Sequence, residues 1–170
     1  ELFLDTQFQD TKNNFRGMTT MQDFWRFAEG PMLDGLYWEQ WYNGKNVSKD
    51  EQGYIFYENK LLGVPRLRML KVRNDSCTVH DDFKVEITEC FASYAESVED
   101  QETYSYGADG SSNRTAWRYA TSDELDGSSH WGLIDTYAGG GYVQNLGGER
   151  AIAEPIINKL KSGLWITRGT

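Results

Sequence analysis

Cys77 and Cys90 are the only cysteines in the 170-residue chain, and their state decides how its middle can fold. Oxidised, they close a loop of about 14 residues, for which the chain-entropy treatment gives ~3 kcal/mol of stabilisation. Reduced, Cys77-x-x-His80 and Cys90, with His130 from further along, supply four candidate zinc ligands. The zinc reading lacks paired CxxC knuckles and borrows its fourth ligand from far away, so spacing favours the bridge over the metal.

The compartment follows from the cysteines taken with three N-x-[ST] sequons. Asn46-Val47-Ser48, Asn74-Asp75-Ser76 and Asn113-Arg114-Thr115 all lie in polar or Gly/Ser-flanked stretches. One sequon arises easily by chance. Three beside a lone cysteine pair fit an exposed domain of the secretory pathway, where thiols are oxidised. Asn46, Asn74 and Asn113 are therefore the candidate acceptors of N-linked glycans.

The formal net charge of −9 and pI near 4.7 argue against DNA or RNA as a partner, since nucleic-acid binders usually carry a basic face. Aromatic residues make up 14% of the chain, a load that favours packed sheets over disorder. No run approaches the ~18 apolar residues that span a bilayer. The chain opens at Glu1 without an initiator Met and reads as a piece of something larger.

Periodicity and punctuation predict one α+β domain. Thr20 caps a helix that carries Phe24, Trp25 and Phe27 and breaks at Gly30-Pro31, with a short turn over Met32, Leu33 and Leu36 beyond. Residues 38–52 read as a polar loop. Strands are expected over 54–62 and 66–73. Phe83, Ile87, Cys90, Phe91 and Tyr94 recur at helical spacing, predicting a helix over 81–94 with Asp81 and Asp82 at its N-terminus. Residues 96–112 read as a long loop, followed by strands over 116–120, 130–137 and 142–146. Ile152, Ile156, Leu160 and Leu164 mark a last helix, with Pro155 early in it and Gly163 as its cap.

Catalytic and ligand chemistry finds little support. The acidic pairs Asp81-Asp82, Glu99-Asp100 and Asp123-Glu124 read as solvated caps and loops rather than a glycosidase acid pair. Setting Gly127 at the sixth position of a calcium loop puts Ser122 first and Leu133 last, where acidic ligands are required. Gly139-Gly140-Gly141 lacks the following Gly-Lys-[Ser/Thr] of a phosphate loop. No catalytic residue, cofactor or metal site is expected. The series Arg66, Arg68, Lys71 and Arg73 stands out in so acidic a chain: either a solvated strand face or a docking edge for an acidic surface.

Several longer stretches resemble the polycystin family. They are Leu61-Leu62-Gly63-Val64-Pro65-Arg66-Leu67-Arg68, Val72-Arg73-Asn74-Asp75-Ser76-Cys77, Asn113-Arg114-Thr115-Ala116-Trp117 and Ser128-Ser129-His130-Trp131-Gly132. Tyr137-Ala138-Gly139-Gly140-Gly141-Tyr142 and Gly163-Leu164-Trp165-Ile166-Thr167-Arg168-Gly169-Thr170 belong to the same set, as do Phe24-Trp25 and Leu36-Tyr37-Trp38. The likeness runs through nearly the whole chain in order.

The resemblance implies the extracytosolic polycystin (TOP) domain, residues 1–170, between the first two transmembrane helices of a TRP-type channel subunit. Its expected fold is an antiparallel sheet backed by about three helices, with one disulfide and long surface loops. The family's disulfide maps onto Cys77 and Cys90, and its glycans onto Asn74, Asn113 and Asn46. Neighbouring domains meet around that disulfide, which implicates Arg66, Arg68, Lys71 and Phe83 as interface residues. The implied role is a lid on a calcium-permeable, non-selective tetrameric cation channel, calcium being the permeant ion. It would hold subunits in register and modulate gating. Partners would be copies of the same subunit or polycystin-1-like subunits. The location would be the outer or lumenal face of the ciliary, plasma or endoplasmic reticulum membrane. The family pattern continues into further strands past Thr170. The alternative is a secreted carbohydrate- or protein-binding module whose exposed aromatic residues stack on a ligand.

Overall fold

The computed structural model describes residues 14–41, 43–48, 51–55, 59–104, 115–132 and 134–170. The chain divides into two compact units, Glu1–Arg66 with Asn145–Ser162, and Leu67–Gln144 with Gly163–Thr170. The fold class is α+β, with short antiparallel sheets, a few helices and one disulfide.

The first unit is built on helices. Thr20 caps α1 (Met21–Phe27): its hydroxyl accepts from the Asp23 N–H, and the Asp23 carboxylate accepts from the Thr20 N–H. The expected break at Gly30-Pro31 does not occur. A π-turn, Ala28–Met32, carries the chain directly into α2 (Leu33–Leu36). Pro31 has no N–H to give and would crowd the carbonyl four residues back, and the wider turn accommodates it without ending the helix. Trp25, Phe27, Ala28, Met32 and Leu33 are thereby buried.

The other wall is α4 (Arg150–Ser162), whose buried Ala153, Ile157 and Leu160 form one face. Full burial of such an aliphatic side chain contributes ~1.5–3 kcal/mol. At its flanks Arg150 pairs with Asp34 at 2.5 Å and Lys161 with Glu29 at 2.7 Å. Tyr37 donates to the Gly147 carbonyl at 2.8 Å. Residues 38–52, expected as a plain loop, hold a tight reversal in which Gln40 bridges Asn46 and the Trp41 carbonyl accepts from Gly44. The strand expected over 54–62 is instead an antiparallel pair, β1 (Tyr54–Ile55) with β2 (Asn59–Lys60).

The second unit is organised by a three-stranded sheet in the order β3 (Arg66–Met69), β7 (Gly141–Asn145), β4 (Tyr119–Ala120). Its two outer strands therefore come from before and after the central acidic segment. β4 pairs antiparallel with β7, Tyr119 opposite Tyr142. Between β4 and β7 lie the short helix α3 (Ser122–Leu125), capped by Thr121 and Glu124, and the hairpin of β5 (His130–Trp131) with β6 (Thr136–Tyr137). The strand expected over 130–137 is thus a hairpin. Met69, Val72, Ala116, Trp117, Tyr142, Val143 and Trp165 form the core of this unit. The Trp165 indole N–H donates to the Ala116 carbonyl at 2.7 Å.

The helix expected over 81–94 is absent. Only a 3-10 turn, Asp81–Phe83, forms, and residues 84–95 run on through a turn and an irregular stretch. Cys77 and Cys90 are joined by the disulfide, with their Cα atoms 5.4 Å apart. Among the described residues, no helix is long and apolar enough to cross a membrane.

Candidate functional site

The chain leaving β3 is clamped on both sides. Val72 donates to the Gly169 carbonyl at 2.6 Å and forms an antiparallel bridge with Glu99. Arg73 donates to the Val98 carbonyl, and Asp100 to the Lys71 carbonyl. From this base the Cys77–Cys90 loop projects. Phe83 is 53% exposed, Val85 90% and Ile87 47%. Three bulky apolar side chains thus stand in water on a short, cross-linked loop, among exposed Asp81, Asp82, Glu86 and Glu89. Of the residues in that periodic series, Phe83 and Ile87 face solvent, whereas Cys90, Phe91 and Tyr94 are half-buried.

The basic series is not one continuous edge. Arg66 is exposed and donates to the Asn145 carboxamide at 3.2 Å. Arg68 donates to the Gly139 carbonyl at 2.7 Å. Arg73 reaches the Ser97 carbonyl. Lys71 turns inward: its ammonium lies 4.4 Å from the centre of the Tyr104 ring and 3.9 Å from the Asp100 carboxylate.

Behind the loop lies a cluster that the sequence reading missed. Glu99 and Asp100, expected in a solvated loop, are 3% and 5% exposed. Glu99 accepts from the hydroxyls of Tyr94 and Tyr119, each at 2.5 Å. Asp100 accepts from the Tyr104 hydroxyl. Tyr142 donates to the Glu102 carbonyl at 2.8 Å, with the Asp100 carbonyl 3.1 Å away. Burial, together with the Glu99 carboxylate, pushes the Tyr94 hydroxyl up to about 12. Burial likewise raises Tyr104, Tyr119 and Tyr142, with the acidic neighbours adding to the effect. Two adjacent carboxylates satisfied by tyrosine hydroxyls and one lysine make a structural brace: a satisfied buried network orders its surroundings. The signal available in the sequence was an acid pair bracketed by Tyr94 and Tyr104.

Among the candidate glycan acceptors, Asn46 and Asn74 are exposed, while Asn113 lies outside the described residues. The Asn74 carboxamide oxygen accepts from the N–H groups of Asp75 at 2.9 Å and Cys90 at 3.2 Å. Asn46 lies 3.4 Å from the Gln40 carboxamide nitrogen.

Residues 14–170 match the Polycystin domain family. The chain is 48% identical to human Polycystin-2-like protein 1 over 170 residues, all of this chain and 20% of the relative. It is 46% identical to Polycystin-2 of Danio rerio, over all of this chain and 18% of the relative. It is 40% identical to human Polycystin-2-like protein 2, over 99% of this chain and 26% of the relative. The chain therefore spans 18–26% of the length of these curated relatives. With a family match over all but its first residues and this identity along its full length, the chain belongs to the polycystin domain family.

Proposed function

We propose that this chain is the extracytosolic lid of a calcium-permeable, non-selective cation channel subunit, acting as an assembly and gating module rather than an enzyme. The supporting observation is the Cys77–Cys90 loop, which holds Phe83, Val85 and Ile87 in solvent on a cross-linked base. A short constrained loop loses little conformational freedom on docking, and its apolar side chains gain from burial. The occupant of this surface is a second copy of the domain, or a polycystin-1-like subunit in a mixed channel. The acidic residues around the loop suit a basic receptor, and Arg66, exposed at the start of β3, supplies one on the neighbouring copy. Arg68 belongs to the same edge while bracing Gly139, and Lys71 supports it from within. Ions pass through the pore of the parent channel and not through this fold. N-linked glycans on Asn46, Asn74 and Asn113 face the lumen or the outside of the cell.

The test uses full-length protein in membranes. Phe83→Asp combined with Val85→Asp, and separately Arg66→Glu, should reduce crosslinked tetramers and current while thermal unfolding of the protein is unchanged. Tetramers and current at wild-type levels in both variants would remove this surface from assembly.

A further inference from the structure

We propose that Asn74 receives its glycan only before the Cys77–Cys90 bridge closes, so that disulfide formation ends the window for glycan transfer at this site. The inference rests on the extracytosolic placement proposed above and concerns the order of two events in maturation. In the transfer, Asn74 Nδ2 attacks the anomeric carbon of an oligosaccharide carried on a lipid pyrophosphate. A C–N bond forms, the C–O bond to the pyrophosphate breaks, the lipid pyrophosphate leaves, and the amide nitrogen gives up one proton. The transferring enzyme must grasp both ends of the sequon, the amide and the hydroxyl two residues later.

The closed structure withholds that grip. The Asn74 carboxamide oxygen accepts from the Cys90 N–H at 3.2 Å, and the Ser76 hydroxyl oxygen accepts from the Ala92 N–H at 2.9 Å. One partner is the second cysteine of the bridge itself and the other lies two residues beyond it. Between Asn74 and Ser76, Asp75 has φ of 60°, a left-handed turn that Asp adopts more readily than most non-glycine residues. Ser76 is half-buried. The sequon is thus bent and stapled to the returning chain rather than extended. Asn74 itself is exposed, and among the described residues its Nδ2 makes no hydrogen bond, so a glycan already attached fits the closed fold. The structure accommodates the product while hindering the reaction.

Asn46 is the internal control. Its serine, Ser48, donates to Glu51 at 2.8 Å, and the Asn46 carboxamide oxygen lies 3.4 Å from the Gln40 carboxamide nitrogen.

The experiment translates the full-length protein into microsomes depleted of the lipid-linked oligosaccharide, lets the bridge close, and verifies closure by thiol alkylation and mass. The lipid donor is then restored, and occupancy at Asn74 and Asn46 is read by glycopeptide mass spectrometry. Wild-type Asn74 should be several-fold less occupied than when donor is present during translation. The Cys77→Ser, Cys90→Ser double variant should remove that deficit and leave Asn46 unchanged. Equal wild-type occupancy before and after closure overturns the ordering alone. Asn46 rising together with Asn74 in the variant assigns the effect to general unfolding and also overturns it. Asn74 unmodified in every arm, including co-translational donor, removes the ordering; all sequons unmodified there would remove the extracytosolic placement as well.

Discussion

Gly127 and Gly139 meet backbone to backbone: a Cβ built on either would lie 2.3 Å from the carbonyl oxygen of the other. The contact joins the turn after α3 to the turn between β6 and β7, and Arg68 fixes it by donating to the same Gly139 carbonyl. No side chain fits without moving backbone. Gly139→Ala should therefore destabilise the protein by about 1–3 kcal/mol, the range for overpacking. Gly148→Ala, which meets nothing within 4 Å, should stay within about 0.5 kcal/mol of wild type. Denaturant midpoints for the two variants check the contrast.

Glu99 is a second point on which the unit depends. Its carboxylate accepts two tyrosine hydroxyls and is almost wholly buried. Glu99→Gln replaces one acceptor oxygen with an NH2 group facing a hydroxyl, and should cost about 1–3 kcal/mol through an unsatisfied buried group. Tyr94→Phe and Tyr119→Phe each remove one bond to the same carboxylate, so their costs should not add. A double-mutant cycle on equilibrium unfolding measures the coupling, and strict additivity would mean that the two tyrosines act independently.

What the sequence disclosed was what is local in sequence. The Thr20 cap lies three residues from Asp23, and the last helix was legible as a helix, although its buried face is Ala153, Ile157 and Leu160 while Ile152 and Leu164, expected on that face, are exposed. β3, β7 and the turn residues between β6 and β7 were legible for the same reason. Most of the misses were cases in which a distant group outvotes local preference. Pro31 signals an end to a helix, yet burial of Trp25, Phe27, Met32 and Leu33 on one continuous rod favours a π-turn over a break. Phe83, Ile87 and Phe91 have helical spacing, but only a 3-10 turn forms there, and Phe83 and Ile87 stay in solvent. Glu99-Asp100 looks solvated until Lys71, Tyr119 and Tyr142 arrive from other elements. Of the residues expected at an interface, Arg66 and Phe83 are exposed, whereas Lys71 points inward to Asp100 and Tyr104, an orientation that spacing along a strand does not reveal.

The tyrosine cluster predicts sensitivity to alkali. Burial raises the Tyr94 hydroxyl from its ordinary 10.0 to about 12, and Tyr104, Tyr119 and Tyr142 shift in the same direction. A raised value means that the folded protein holds the proton more tightly than the unfolded chain. The resulting stability is fully present below pH ~10 and is lost as pH rises from there through the folded values. Tyrosinate absorbance should therefore rise together with loss of tertiary circular dichroism above pH ~10. Smooth ionisation of all the tyrosines near their ordinary value, with structure intact, would contradict the buried hydrogen-bonded arrangement.

The bridge itself makes a more local prediction. In the Cys77→Ser, Cys90→Ser variant the loop of about 14 residues is no longer closed in the unfolded chain, which should cost ~3 kcal/mol. The loop contains a single 3-10 turn, and Phe83, Val85 and Ile87 are already in solvent, so little apolar packing is at stake within it. The denaturant midpoint should hence fall, with the m-value equal to or somewhat above wild type because the unlinked unfolded chain exposes more surface. Hydrogen exchange should localise the change. The amides of Cys90 and Ala92, which donate to Asn74 and Ser76, should lose protection, whereas those of Val143 and Leu146 in and after β7 should keep theirs up to the new global limit. Loss of protection across β7 at the same rate as at Cys90 would mean that the bridge supports the sheet as a whole and not only the loop that it closes.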